Sequence, residues 1–259
     1  MPLAELAAPP GWRSLCIISD LHLSADEPGT LRAFSRFVQQ LAHDADCSAL
    51  FVLGDLFDVW IGDDRPADAA SRAVLAAFGQ LAAARKPVWL MHGNRDFLLA
   101  DRFLALAQAQ PLHDPTVLVF RGHRIALAHG DSLCTGDLPY QQFRAMVRNP
   151  AWQHAFLARP IDERERMARQ IRSESERNKR TVGLTDVQPD AVLQLMQAAH
   201  APVLVHGHTH EGRSHRVAGL AGWPDAQRHV LSDWHAHTHR PRGDALWVTP
   251  RGVERRSVY

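Results

Sequence analysis

Lysine is almost missing from this 259-residue sequence: of 29 basic residues only Lys86 and Lys179 are lysines, which leaves 27 arginines. An excess of charge of one sign is missing too, since 29 basic against 28 acidic residues give a net +1 with histidines neutral. Non-specific nucleic-acid binding needs a clearly basic surface, so no nucleic-acid partner is expected. Cysteine is scarce and odd in number. Cys16, Cys47 and Cys134 are too scattered for a disulfide framework, which fits a reducing cytoplasm. No apolar run approaches the roughly 18 residues of a membrane span. The first ten residues hold no basic stretch followed by an apolar core, so no signal peptide is expected. Repeats and low-complexity linkers are absent, and nothing implies a protein partner. What is plentiful is histidine, with 16 residues, the commonest metal ligand among side chains. The 46% of hydrophobic residues suffice for a sizeable core, and 22% charged excludes a disordered chain.

The first 130 residues alternate short apolar runs with helical patterns. Strands are predicted at Leu15–Ser19, Ala49–Leu53, Pro87–Met91 and Arg124–Ala128, and helices at Thr30–Leu41, Asp68–Ala84 and Phe97–Ala107. That alternation indicates an α/β domain with buried strands. From about Asp137 to Gln197 the pattern is helical throughout, broken at Asn149-Pro150 and Arg159-Pro160. A further strand is predicted at Pro202–Val205. The tail has strand candidates at His215–Ala218, Arg228–Leu231, Ala245–Thr249 and Val253–Ser257, and a mostly antiparallel finish is expected. The organisation is one catalytic domain, 12–136 and 198–259, with a helical cap insertion, 137–197, over its mouth.

Each apolar strand of the domain ends in a polar cluster: Asp20-Leu-His22, Gly54-Asp55, His92-Gly-Asn94-Arg95, His129-Gly-Asp131 and His206-Gly-His208-Thr-His210. Ligands of α/β sheets bind beyond the carboxyl ends of strands, so the clusters should converge. Asp20, His22, Asp55, Asn94, His129, His208 and His210 are metal-competent side chains with nitrogen or oxygen donors and no sulfur. Such a set suits borderline divalent ions. In extended backbone, Asp20 and His22, and likewise His208 and His210, would point the same way. Two ions a few ångströms apart need a bridging anion, and Asp55 is the natural bridge. Singly, each cluster also reads as an ordinary polar turn; the series of five, each after a strand, points to metal.

These clusters resemble the calcineurin-like metallophosphoesterases. The resemblance implies an α/β (α+β) fold, a four-layer αββα sandwich carrying the cap, and a dinuclear centre. One ion would take Asp20, His22, Asp55 and His210, and the other Asp55, Asn94, His129 and His208, with Mn²⁺ the foremost candidate. The longer strings Ile18-Ser-Asp-Leu-His-Leu23, Leu53-Gly-Asp-Leu-Phe-Asp58, Trp60-Ile-Gly-Asp-Asp64, His92-Gly-Asn-Arg-Asp-Phe-Leu98 and His129-Gly-Asp-Ser-Leu-Cys-Thr135 are similar to the family's lipid A branch. Its members are diphosphatases that act on an acylated UDP-sugar. That implies hydrolysis of UDP-2,3-diacylglucosamine by water attack on the phosphorus attached to uridine, releasing UMP and 2,3-diacylglucosamine 1-phosphate. It also implies peripheral attachment to the cytoplasmic face of the inner membrane. Asp55, Asn94, Arg95 and His208 would be catalytic. Substrate contacts would come from Asn94, Arg95, Asp137, Ser175, Asn178, Lys179, Arg180 and His208. Two alternatives stay open: another nucleotide pyrophosphatase or phosphodiesterase of the same family, and a non-catalytic binding protein on this fold.

Many relatives of this class carry His where this chain has Arg95. A guanidinium releases no proton at neutral pH, so the leaving group must itself be a weak base. A phosphate monoester, with its last pKa near 6, meets that need and a sugar alkoxide does not. Arg95 is therefore expected to clamp phosphate oxygens as a fork, the bland option being packing against Asp96 or another surface acid. In the insertion, Arg159–Arg180 contains eight basic and five acidic residues. Phe143, Met146, Val147, Trp152, Phe156 and Leu157 form an apolar stripe beside it, expected to meet acyl chains or the lipid surface, or else to dock the cap. Cys134 is expected to be structural, His206 to lie beside the site, and the His235/His237/His239 tract to be a solvent-exposed loop or strand end.

Overall fold

The computed structural model describes residues 3–182, 186–236 and 239–259, the side chains of 174–182 excepted. Two six-stranded sheets stack face to face. The first runs, in spatial order, β1 (Ala4–Ala7), β6 (Thr116–Phe120), β7 (His123–Ala128), β8 (Val203–His206), β10 (Gln227–Val230), β9 (Arg213–Arg216). The second runs β12 (Gly252–Ser257), β11 (Asp244–Thr249), β2 (Ser14–Ile18), β3 (Cys47–Leu53), β4 (Val88–Met91), β5 (Ala109–Leu112). The strands that lead into the polar clusters are parallel neighbours, β2–β3–β4 in one sheet and β7–β8 in the other.

The layers follow from the two-residue period of a strand. Along β2, Leu15 and Ile17 face the space between the sheets, where Phe51, Leu118, Leu127 and Val205 join them. Cys16 and Ile18 point the other way, under α1 (Pro28–His43), α2 (Ala69–Ala83) and α3 (Asp101–Ala107). Burial on both faces explains why these strands read as continuous apolar runs. α1 supplies Leu31, Phe34, Phe37, Val38 and Leu41 to that core, one stripe at helical spacing. On the outer face of the first sheet, Ala126, Ala128 and Leu204 are covered by Val192 and Met196 of α7 (Pro189–Ala199). The order is helix, sheet, sheet, helix, as expected. Three further helices, α4 (Leu138–Val147), α5 (Pro150–Leu157) and α6 (Ile161–Val182), precede α7 in the 137–197 stretch.

Three strands go beyond the sequence reading: β1, β5 and β6. The tail is mostly antiparallel, as expected, with one exception. β10 runs parallel to β8, and the tail divides, β9 and β10 extending one sheet and β11 and β12 the other. α3 begins at Asp101 rather than Phe97. Its start is set from outside, because Asp63 accepts hydrogen bonds from the amides of Ala100 (3.2 Å) and Phe103 (2.7 Å).

Candidate metal centre

All seven expected ligands lie one to four residues beyond the strands β2, β3, β4, β7 and β8, and the structure brings them together where the carboxyl edges of both sheets meet. Their backbone differs from the expectation. Asp20, His22, Asp55, His208 and His210 have φ of 55°, 47°, 51°, 66° and 60°, in the left-handed region and not extended. The paired side chains converge because the chain coils tightly after each strand. Such a conformation is costly for residues with a Cβ and persists only where its surroundings over-determine it. Here the amides are tied down: Asp20 donates to the Gly54 carbonyl (3.1 Å), His22 to the Asp55 carbonyl (3.0 Å) and His208 to Asp20 Oδ2 (2.9 Å). A side chain at Gly93 would overlap the Asp55 carboxylate, and one at Gly207 the Asp20 carboxylate, so the loops close only with glycine at those points.

Two overlapping groups of donors result, Asp20–His22–His210 and Asp20–Asp55–His129, the donor atoms of each lying within 4.8 Å of one another. Asp55 faces both: Oδ2 is 3.9 Å from His22 Nδ1, and Oδ1 is 3.7 Å from His129 Nε2. Asn94 Oδ1 lies 3.0 Å from His129 Nε2 and 2.9 Å from His208 Nδ1. His129 Nδ1 donates to the Leu53 carbonyl (2.9 Å), which turns Nε2 toward Asn94 and Asp55. Asp20 Oδ1 and His22 Nδ1 are buried without a hydrogen-bond partner. Buried donor atoms without hydrogen-bond partners, facing His210 and Asp55 in a sulfur-free set, fit divalent cations.

The electrostatics agree. Burial pushes Asp55 up to about 7, with Asp96 and Asp20 adding to the rise and His129 and Arg95 opposing it. Burial works against a charge on His129, yet Asp55, Asp131, Asp20 and Asp114 together raise it to about 9. A field that would hold a proton on that imidazole is one that would hold a cation. His208 is lowered to about 3 by burial and by His129, so its ring stays neutral and able to ligate.

The other expected residues are distributed unequally. The main-chain amide of Arg95 donates to Asp55 Oδ1 (2.8 Å), and its charge acts on His22 and Asp55. Asp96 is fully buried and accepts from the amides of Gly93, Leu56 and Phe57, so its carboxylate is engaged by backbone. Asp137 caps α4, accepting from the Tyr140 amide (3.0 Å). Ser175, Asn178, Lys179 and Arg180 lie in the part of α6 whose side chains are outside the described residues, and His237 is outside them as well. Cys134 is buried, with its thiol pushed up to about 12, first by burial and then by Asp131, Asp186 and Asp137, so no nucleophilic thiolate forms near neutrality. His206 is fully buried beside the site, its Nδ1 against the Gly207 carbonyl (2.8 Å).

Several residues of the site went unrecognised in the sequence. The Tyr140 ring stacks on His208 (centroids 5.8 Å apart) and its hydroxyl donates to Asp131 Oδ2 (2.8 Å). Arg144 bridges Asp131 (2.8 Å) and Asp114 (3.3 Å), and Asp114 in turn accepts the His129 amide (3.1 Å). Arg148 donates to the Gly93 carbonyl (2.9 Å). The spacing 140, 144, 148 puts all three on one helix face, a signal available beforehand. Asp233, whose carboxylate is forked by Arg242, lies 3.8 Å from His210 Nδ1, and the Trp234 amide donates to the Asp20 carbonyl. The front of the Asp233–His239 string therefore buttresses this centre.

The expected apolar stripe of the cap divides. Val147 and Phe156 are buried, and Trp152 packs against the core with Phe97, whereas Met146 (48% exposed) and Leu157 (38%) face outward, as does Leu138 (67%). The basic cluster is also less free than its composition suggests. Arg159, Arg164, Arg166, Arg169 and Arg172 each pair with an acid: Glu163, Asp64, Asp162, Glu165 and Asp58. Among the described residues, no helix is long and apolar enough to cross a membrane.

A double-sheet sandwich with paired Asp/His/Asn clusters at its strand ends defines a phosphoesterase class. The model of the calcineurin-like phosphoesterase family matches residues 14–212, and the chain belongs to that family. Among relatives, it is 46% identical over 240 residues to the UDP-2,3-diacylglucosamine hydrolase of Ralstonia nicotianae, covering 88% of this chain and 87% of that one. It is 45% identical to the protein of the same name from Chromobacterium violaceum, over 91% and 95% of the two chains. A solved archaeal phosphodiesterase shares the fold with a TM-score of 0.50 at 10% identity, over 94% of this chain and 99% of that one.

Proposed function

We propose that the protein hydrolyses UDP-2,3-diacylglucosamine to UMP and 2,3-diacylglucosamine 1-phosphate in lipid A synthesis, using two divalent ions, Mn²⁺ foremost. The observation that carries the chemistry is the convergence of seven N/O donors from five strand ends around the orphaned atoms Asp20 Oδ1 and His22 Nδ1. The substrate follows the relatives' shared name, over nearly their whole length. Asp20, His22, Asp55 and His210 would hold one ion, and Asp55, Asn94, His129 and His208 the other, with Asp55 bridging. Bound there, the pair supplies Lewis-acid activation of water and charge compensation at phosphorus.

The chain's own residues do the rest. Asn94 and His208, in contact at 2.9 Å, would orient phosphoryl oxygens. Arg95, beside Asp55 and carrying its charge toward the centre, grips the diphosphate and balances the charge that develops on it. No side-chain acid is required, because the departing group is a phosphate monoester. The proposed division is a catalytic domain of 12–136 and 198–259 with a cap of 137–197, and the sandwich itself also takes in β1 at its edge and α7 as an outer layer. Asp137 and the segment with Ser175, Asn178, Lys179 and Arg180 meet the sugar-nucleotide head group. The protein attaches peripherally to the cytoplasmic face of the inner membrane through the outward cap residues Leu138, Met146 and Leu157. Turnover of UDP-2,3-diacylglucosamine by metal-reconstituted protein, with UMP detected, tests the reading against UDP-glucosamine and a cyclic nucleotide. Preference for either soluble substrate would replace it with a different phosphodiesterase activity.

A further inference from the structure

Arg164 heads the large fully buried side chains of the described residues, at 1% exposure, although it sits in the most charged helix of the chain. Its guanidinium leaves α6 and enters the loop Trp60-Ile-Gly-Asp-Asp64. Nη1 donates to the Ile61 carbonyl (2.5 Å) and Asp64 Oδ1 (2.8 Å), Nη2 to Asp64 Oδ2, and Nε to the Arg159 carbonyl (3.1 Å). Gly62, at φ +129°, leaves the room: a Cβ there would stand 2.5 Å from Arg164 Nη1 and 2.7 Å from Leu157 Cδ2. Asp63 accepts from Trp60 Nε1 (2.9 Å) and caps α3, and Trp60 packs on Phe57 and Phe103, so the loop is rigid from below.

The same loop is short-coupled to the metal centre. It begins five residues after Asp55, the Trp60 amide donates to the Arg95 carbonyl (3.0 Å), and Asp58, just ahead of it, pairs with Arg172 of α6. Around the latch, Ile161, Met167, Ala168, Trp152 and Phe156 of the cap pack into the core under the second sheet. We infer that the Trp60–Asp64 loop is the docking platform of the cap, and that Arg164 is a positioning residue that sets the cap over the metal centre and so the fit of an acylated substrate. The substrate part of this inference rests on the proposed function; the docking part does not.

The pair is asymmetric. Asp64 is 54% exposed, so loss of the guanidinium leaves a carboxylate in water, whereas loss of the carboxylate leaves a cation buried. Asp64→Ala should therefore loosen the cap more than Arg164→Met, and Asp64→Glu, which keeps a fork acceptor, should loosen it least. Hydrogen exchange on the full chain reads this directly. Residues 150–172 should exchange tenfold or more faster in Asp64→Ala and Arg164→Met, with strands β2, β3, β7 and β8 unchanged, and within twofold of wild type in Asp64→Glu. In steady-state assays with UDP-2,3-diacylglucosamine, KM should rise tenfold or more in the first two variants while kcat stays within threefold. Wild-type exchange at 150–172 in both, equal acceleration in the strands, or a fall in kcat at unchanged KM would overturn the inference. If wild type does not turn over that lipid, the functional reading fails and the exchange data alone decide the docking.

Discussion

The Nε2 atoms of His22 and His210 lie 3.3 Å apart, one ring carried by the loop after β2 and the other by the loop after β8, so the contact joins the two sheets. Two imidazole nitrogens at that distance need a proton or a cation between or beside them. Metal should therefore stabilise the fold. Protein stripped with chelator should gain Tm on adding Mn²⁺, with about 2.7 kcal/mol per site at a hundredfold excess over Kd. His210→Ala should lose much of that gain. A thermal titration in which Mn²⁺ moves neither protein would refute the assignment.

Asp55 and Asn94 should differ in what they hold. With its two oxygens turned to His22 and His129, Asp55 is placed to serve both ions, and Asn94 faces only His129 and His208. Asp55→Ala is expected to retain little of either metal and Asn94→Ala about one per chain. Elemental analysis after gentle purification measures this, and two full sites in Asp55→Ala would remove the bridge.

Arg95→Ala should lower kcat/KM for the lipid substrate by about 10–100-fold, the range of a lost charge-assisted fork. Arg95→His should not regain activity in acid, since the reaction needs no donated proton. A pH–rate profile of both variants is the check; wild-type turnover in Arg95→Ala would end the clamp argument.

Membrane attachment should depend more on apolar cap residues than on Arg159, Arg164, Arg166, Arg169 and Arg172, which already have acidic partners. Leu138→Ser/Met146→Ser/Leu157→Ser should bind anionic liposomes several-fold more weakly than wild type. Rising salt should weaken both, since surface charges are screened beyond a Debye length of about 8 Å. Identical liposome binding by wild type and the triple variant would show these side chains to be uninvolved.

Asp68 allows a pH test remote from the metals. It caps α2 by accepting from the Ser71 amide (2.7 Å) while Ser71 Oγ accepts the Asp68 amide (2.9 Å). Burial opposes its charge, but the Ser71 contacts and Arg65 outweigh burial and hold the carboxyl below its ordinary value. The sign follows: its contribution is complete above the unfolded pKa near 3.9 and disappears as pH falls through the lower folded value. Asp68→Ala should cost about 1 kcal/mol at neutral pH and less at pH 3. Urea midpoints at the two pH values compare them, and an equal loss at both would exclude the charged cap.

The ligand clusters were legible because each follows a strand buried on both faces, where a polar residue interrupts an apolar run abruptly. Their conformation was not, since nothing local announces that Asp20 and His22 take left-handed backbone around the fully buried Leu21. β1 escaped notice because Ala4–Ala7 is a short edge strand with only alternate residues half-buried. β6 carries a plain β-forming run, Thr-Val-Leu-Val-Phe, and could have been read. Arg164 looked like one more residue of a solvated helix; its partner Asp64 stands 100 residues away, and no periodicity within α6 reveals it.

Left-handed backbone at five of the seven ligands has a kinetic meaning. Hydrogen bonds within the protein hold the turns at Asp20, His22 and His208, so divalent ions would enter a cavity already largely shaped. Metal exchange should therefore proceed on the timescale of ligand release while the sandwich stays folded, unlike small zinc domains that collapse only around their ion. Chelated protein should therefore rebind divalent cations without passing through an unfolded state.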